Sequence, residues 1–446
     1  MRRIALWVGT IVSVWVGTAW AGTMTVTSLA DDGDGICDAT CTLRDAVISA
    51  ASGDQIVFSN SLTYPDAVYL GGQEILLYKS LSIVGPGADK LSIDGDNSSR
   101  LFELVANASV SFSGLTLTQG RVSGTGGAGP SSTAQGGAFF VGAGSTLALW
   151  NCVVSYNHVF GGQGSSGPGG PAGSGGDAYG GAIFSTGTLQ IHGTRFSNNG
   201  ALGGPGGMGF PGGFANGGTG GNALGGALYS SGQTEILGSQ FSDNGTLGGP
   251  GGAAGPGAQF SGSGGSTQGG AMALGNFAFV AFSSMALNFA QPGVPGSTIS
   301  GGGGTLPGNT GSAYGSDVTS NATLLSRYTI FDSTQPSVAS SCSVANMLVQ
   351  GNNLDADSSC AGFTLHAADH FVVATDALGT LLRLPWGSAA IDSAADCKDP
   401  FGIVQNLDLI GSTRPLDGNA DHVAACDLGG LEADYLFVNG FEVPIL

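Results

Sequence analysis

Through the middle of the chain, apolar and polar positions alternate in runs of a few residues, with glycine between many of them: AIFS, TLQIHG and TRFSNN over 182–199, then ALYS, TEILGS and QFSDN over 227–244. Runs that short with a period of two predict strands, because an amphipathic helix needs a longer stretch and a period near 3.6. Each group opens on a small-residue triplet, at Gly136-Gly137-Ala138, Gly180-Gly181-Ala182, Gly225-Gly226-Ala227 and Gly269-Gly270-Ala271, and closes on Asn157, Asn199, Asn244 or Asn288. The fixed period marks stacked supersecondary units. Three short strands per group fit one coil of a parallel β-helix, in which like residues stack from coil to coil.

That register makes definite columns. Ile183 and Leu228 share one level, and Val154, Phe196, Phe241 and Met285 another. Cys152 then falls level with Thr194, Ser239 and Ser283, which makes it a buried small residue rather than a reactive thiol. The four asparagines tolerate left-handed bends and stack as a hydrogen-bonded ladder. After each asparagine comes a glycine-rich stretch such as 201–220, in which ten of twenty residues are glycine. With no side chains to build a core, these stretches read as loops projecting from one corner, ordered or not. The one helical pattern starts at Thr42, a capping residue, with Leu43, Ala46, Val47 and Ala50 on its apolar face and Gly53 at its end. It predicts a cap over the first coil, with Arg44 and Asp45 as cap surface or a structural ion pair.

Composition changes the picture in three ways. The 446 residues include 82 glycines and only 10% charged residues, yet 41% are hydrophobic, which argues against disorder. The formal charge is −19 and falls by two more without Arg2 and Arg3, which argues against nucleic acid and anionic membranes as partners. Between Glu103 and Asp317 the only acids are Asp177, Glu235 and Asp243 and the only bases Arg121 and Arg195. The acidity therefore belongs to the two ends. Arg2 and Arg3, an apolar run to Thr18 and Ala19-Trp20-Ala21 predict a cleaved signal peptide over 1–21 and no membrane span in the mature chain. Seven cysteines in an exported chain predict disulfides with one left over. Cys37 and Cys41, Cys342 and Cys360, and Cys397 and Cys426 are neighbouring candidates, and Cys152 is the odd one.

The repeat resembles the GGA[ILV] and FxxN signature of polymorphic outer membrane protein repeats, with FSNN and FSDN matching well and VSYN and MALN departing at the first position. The resemblance implies a right-handed parallel β-helix of the pectin-lyase-like kind on an exported protein. Residues 30–58, containing Cys41-Thr42-Leu43-Arg44-Asp45-Ala46, are similar to the CSLREA-type region that begins many secreted bacterial β-helix proteins. GNNLDADSSC, GSAAID from 387, DLIGSTRP from 408 and DLGGLE from 427 resemble choice-of-anchor domains, with Ala389 where proline is usual. The tail LFVNGFE is similar to C-terminal tails of some gammaproteobacterial secreted proteins. The expected organisation is thus a signal peptide at 1–21, a cap region and first strands at 22–80, the β-helix with glycine-rich insertions at 81–340, a choice-of-anchor-like region at 341–435 and a tail at 436–446. Secretion or display on the outer surface of a Gram-negative cell follows from the same resemblances.

Candidate chemistry is sparse. Glycoside hydrolysis uses two carboxylates about 5–10 Å apart, and the middle of the chain offers no such pair at one level. His158 and His192 differ in register, so a metal pair is not expected. Asp31, Asp32 and Asp34 sit in a turn-forming stretch and are the candidate ligands of a calcium ion, the one cofactor the sequence offers. The C-terminal acids from Asp355 to Asp427 name no catalytic pair. The expected function is therefore that of an exported, non-enzymatic β-helical protein with a structural or adhesive role, whose partners are polysaccharide or cell-surface proteins. Two alternatives stand beside it: a polysaccharide-active lyase or glycoside hydrolase on the same fold, and a glycine-rich polysaccharide- or ice-binding module.

Overall fold

The computed structural model describes residues 22–126, 133–166, 172–210, 216–298, 306–332, 340–365, 370–419, 422–433, 435–438 and 441–444, the last two by backbone alone. The expected signal peptide lies outside them. The chain winds as a right-handed parallel β-helix, the hand that parallel crossovers take. The coil after the second triplet is representative. Its strands are Ile183–Ser185, Thr188–His192, Arg195–Ser197, Gly200–Leu202 and, after the glycine-rich excursion, Ala223–Leu224. That is two more short strands than the three the alternation predicts, because glycine- and alanine-rich stretches carry no period-two signal. Like strands pair in parallel from coil to coil, giving sheets of 16, 10, 5 and 5 strands among the described residues.

The predicted columns are present. Ile183 pairs with Leu228, Val154 with Phe196, Phe196 with Phe241 and Phe241 with Met285. The Phe196 and Phe241 rings stack at 4.6 Å. At the next corner the Thr194 hydroxyl accepts from the Cys152 amide, Ser239 from Thr194 and Ser283 from Ser239. Cys152 is buried and unpaired, and burial pushes its thiol up to about 11. Without reductant, the folded protein is therefore expected to take up no thiol reagent and the denatured protein one equivalent; labelling of the native state within minutes would contradict this.

Parallel pairing begins where Thr23–Val26 meets Gln55–Phe58. It runs past position 340, through Cys342–Gln350 and Leu354–Asp355 to Thr364–Leu365. The helix Leu43–Ser49 carries a closed capping box of Thr42 and Asp45. Asp45 is buried rather than on the cap surface, taking hydrogen bonds from Thr42 and the Gly35 amide. Arg44 forms the ion pair, with Asp31 at 2.9 Å. Disulfides join Cys37–Cys41, Cys342–Cys360 and Cys397–Cys426. They suit an oxidising compartment, and no helix among the described residues is long and apolar enough to cross a membrane.

Residues 370–419 and 422–433 fold back on the ten-stranded sheet. Arg195 grips both carboxylate oxygens of Asp376 at 2.8 and 2.7 Å. Gln240 donates to the Thr380 carbonyl and accepts from the Leu382 amide. Phe279, Phe282, Tyr328 and Ile330 share a core with Leu384, Ile391, Cys426 and Leu428. The lobe thus covers outward positions of that sheet, while the glycine-rich excursions leave from another corner.

Candidate functional site

The asparagine ladder positions those excursions. Asn157, Asn199, Asn244 and Asn288 are all buried. Each Nδ2 of the first three donates to the Oδ1 of the next at 2.9–3.0 Å, and Asn288 donates to Asp317 at 2.8 Å. The ladder's amides are spent on the backbone and on one another, which is a structural arrangement. Immediately after it, the chain runs outward as 200–210 and returns through 216–224, and the equivalent segments of neighbouring coils lie alongside.

The glycine-rich stretches are not loose loops. Gly203, Gly206 and Gly209 donate to Leu247, Pro250 and Ala253 of the next outgoing segment. Gly204 and Gly207 donate to Gly176 and Gly173 of the previous return segment, and Gly218 and Gly221 donate to Gly207 and Gly204. The register advances by three residues each time, which is the period of polyproline II. Two of every three positions therefore face other backbones, and the third faces out. At the inward positions no side chain fits: a Cβ on Gly204 would meet the carbonyl oxygen of Gly162, and one on Gly218 that of Gly173. This explains the glycine content, and the spaced GG-x-GG-x in 203–208 was its sequence signal.

The result is a two-layer slab with two ruled faces. The outgoing layer presents Phe160, Leu202, Leu247 and Gln291 in one register-matched row, then Gln163, Pro205, Pro250 and Val294, then Ser166, Met208, Ala253 and Ser297. Met208 is 57% exposed and Val294 60%. The return layer is polar, with rows of Ser174, Thr219, Ser263 and Asn309 and of Asp177, Asn222, Ser266 and Ser312, linked by contacts such as Thr219 to Ser174 at 2.8 Å. Asp177, also held by the Tyr179 hydroxyl, is the one charged residue in these rows. Rows repeat at the strand spacing of about 4.8 Å and, along each segment, at about 9 Å.

Elsewhere the acids serve the backbone. Asp408 takes the amides of Ile410, Ser412 and Glu432. Asp399 takes those of Phe401 and Ile403. Buried Asp427 takes those of Asp392 and Ala433; burial, then the neighbouring Glu432 charge, push it up to about 8. Glu432 pairs with buried Arg414 at 2.8 Å. The candidate calcium ligands are placed differently from one another: Asp31 pairs with Arg44 and takes the Gly71 amide, Asp34 caps Ile36, and Asp32 is exposed with neither contact. No group of three or more His, Cys, Asp or Glu side chains is gathered for a metal among the described residues.

One pairing escaped sequence reasoning. His192 stacks on Trp150 at 4.1 Å and its Nε2 lies 3.0 Å from the Glu235 carboxylate of the next coil. Beside them, a cavity of about 490 Å³ runs between the coil corners, including Gly114, Asn151 and Gly193, and the lobe segments 376–378 and 407–411.

No family model matches the chain, and no curated protein matches it. Among solved structures it is similar to pectate lyase Pel9A, at 15% identity and a TM-score of 0.30 over 92% of this chain and 97% of that one. It is also similar to a springtail antifreeze protein from Granisotoma rainieri, a bundle of nine polyproline type II helices, at 24% identity and a TM-score of 0.13 over 43% of this chain and 90% of that one. Such TM-scores carry no argument about activity. The fold rests on this chain's own parallel ladders.

Proposed function

We propose that the protein is a non-enzymatic extracellular binding module with an adhesive role, and that the apolar face of its glycine slab lies on an extended uncharged solid, an insoluble polysaccharide first. The observation that carries this reading is the three-residue register, which sets Pro205, Met208, Leu247, Pro250 and Val294 on one ruled face backed by hydrogen-bonded glycine. A flat face already held rigid loses little conformational freedom on binding, and the apolar side chains would cover the C–H faces of sugar rings. The three outgoing rows carry no charged residue, which favours a neutral partner over a uronate polymer.

The test is co-sedimentation of the exported chain with insoluble cellulose and chitin, with reducing-sugar release followed in parallel. Binding without release is expected, and Val294→Lys together with Met208→Lys should weaken it at least about tenfold by placing charges in the contact. Sugar release would overturn the non-enzymatic reading, binding unaffected by the two lysines would remove the face, and partition into ice instead would replace the ligand.

A further inference from the structure

The Trp150 shelf lies on the outer side of the long sheet, away from the slab. Its outward positions follow from the register. Ser82 pairs with Ser111 and Val84 with Ser113, Ser111 with Ala148 and Ser113 with Trp150, and Trp150 with His192. Inward neighbours Ile83, Phe112 and Leu149 are buried in the core. The outer surface therefore steps from two coils of small side chains up to an indole.

The two faces of that indole are unequal. One carries the His192 imidazole, with ring centres 4.1 Å apart and planes 28° from parallel, and Glu235 holds the imidazole from the far side. The other looks toward the coil of Ser113, a residue with one hydroxyl and no ring. A ring stacked along the coil direction stands crosswise to the sheet, and Trp150, Ser111 and Ser113 are each half-buried, so the second face forms the end wall of a shelf floored by Ser111 and Ser113. At the corner, Asp89 and Asn151 are exposed. They line the same 490 Å³ cavity, to which each of the coils of Val84, Ser113, Trp150 and His192 contributes its next corner.

We infer that this shelf is a saccharide subsite, in which one neutral pyranose unit stacks its C–H face on the open side of Trp150 and the next unit continues into the corner cavity. An aromatic wall with a few convergent polar groups fits a sugar, which has an apolar face and a hydroxyl rim. The hydroxyls of Ser111 and Ser113 meet the rim on the shelf, and Asp89 and Asn151 meet it at the corner. His192 and Glu235 are positioning residues that hold the indole upright. The subsite stands independently of the slab.

The chain after residue 21 contains only two tryptophans, Trp150 and Trp386, so the part of the emission that Trp150→Phe removes reports on the shelf. Titration of this chain with cellopentaose, mannopentaose and chitopentaose is expected to shift its fluorescence with at least one of them. Trp150→Phe should abolish the shift, and Trp150→Ala should cost at least about tenfold in affinity by calorimetry. His192→Ala should weaken binding less, whereas the slab variant Val294→Lys should leave the titration unchanged. No spectral change with any of the three at about 10 mM, or equal affinity in Trp150→Ala, overturns the inference without bearing on the slab.

Discussion

Replacing Gly218 by alanine is expected to separate the slab from the coils that carry it. The new Cβ would fall on the carbonyl oxygen of Gly173 and close to the Gly207 amide. That carbonyl accepts from Gly207, while Gly218 itself donates to Gly207 and accepts from Gly252. No flexible side chain can give way, so relief requires prising layers apart and breaking hydrogen bonds on both sides. Overpacking of this kind costs about 1–3 kcal/mol, and buried amides left without acceptors add to it. The amides of Gly204, Gly207 and Gly221 should lose about tenfold or more of their hydrogen-exchange protection, while those of Phe196 and Phe241 keep theirs. Thr219→Ala, one residue along on the exposed side, should stay within about 0.5 kcal/mol of the parent. Because the return layer backs the outgoing layer, the same Gly218→Ala protein should bind polysaccharide more weakly. Unchanged protection in the slab would mean that the layers are not held as tightly as their hydrogen bonds imply.

The contrast between neighbouring residues shows what was legible in the sequence. The strands, the columns of Phe196 and Phe241 and the asparagine ladder declare themselves through side chains repeated at 42–45 residues. The slab is built from backbone, and its signal is the spacing of residues that have no side chain. Once Gly203-Gly204 and Gly206-Gly207 are seen to straddle Pro205, the three-residue period follows, but a search for alternating hydrophobicity passes over it. Trp150 and His192 were hidden for another reason: the coil that opens at Gly136 has two extra residues between its triplet and its corner, so they align only when counted back from Cys152 and Thr194. The C-terminal acids could not be sorted at all, since Asp408 and Asp427 act on amides brought together by the fold of the lobe. The coil that opens at Gly315 lacks the triplet signal because Gly315-Ser316-Asp317 stands where the preceding coils have Gly-Gly-Ala, with the ladder's last acceptor in place of alanine.

That last acceptor makes a second strong expectation, that Asp317→Asn stabilises the protein and does so more at pH 8 than at pH 4. Asp317 is fully buried. One carboxylate oxygen accepts from Asn288 at 2.8 Å, and the other has no hydrogen-bond partner. Burial raises its pKa well above the usual carboxylate range, the Asn288 hydrogen bond opposes that rise, and the Asp332, Asp355 and Asp357 charges reinforce it. A carboxyl whose folded pKa is raised contributes stability that is fully present below the unfolded value near 3.8 and is lost as pH rises through the folded pKa. Each unit of separation between the two is worth about 1.4 kcal/mol. Asparagine has the shape of the neutral acid, keeps an oxygen for Asn288 and does not ionise, so the variant should match the parent near pH 4 and pull ahead as pH increases. Asp427, likewise raised, is present in both proteins and cancels from the difference. Urea midpoints of the two proteins from pH 4 to 9 measure the effect, and a difference that stays constant across that range would show that Asp317 does not carry a raised pKa in the fold.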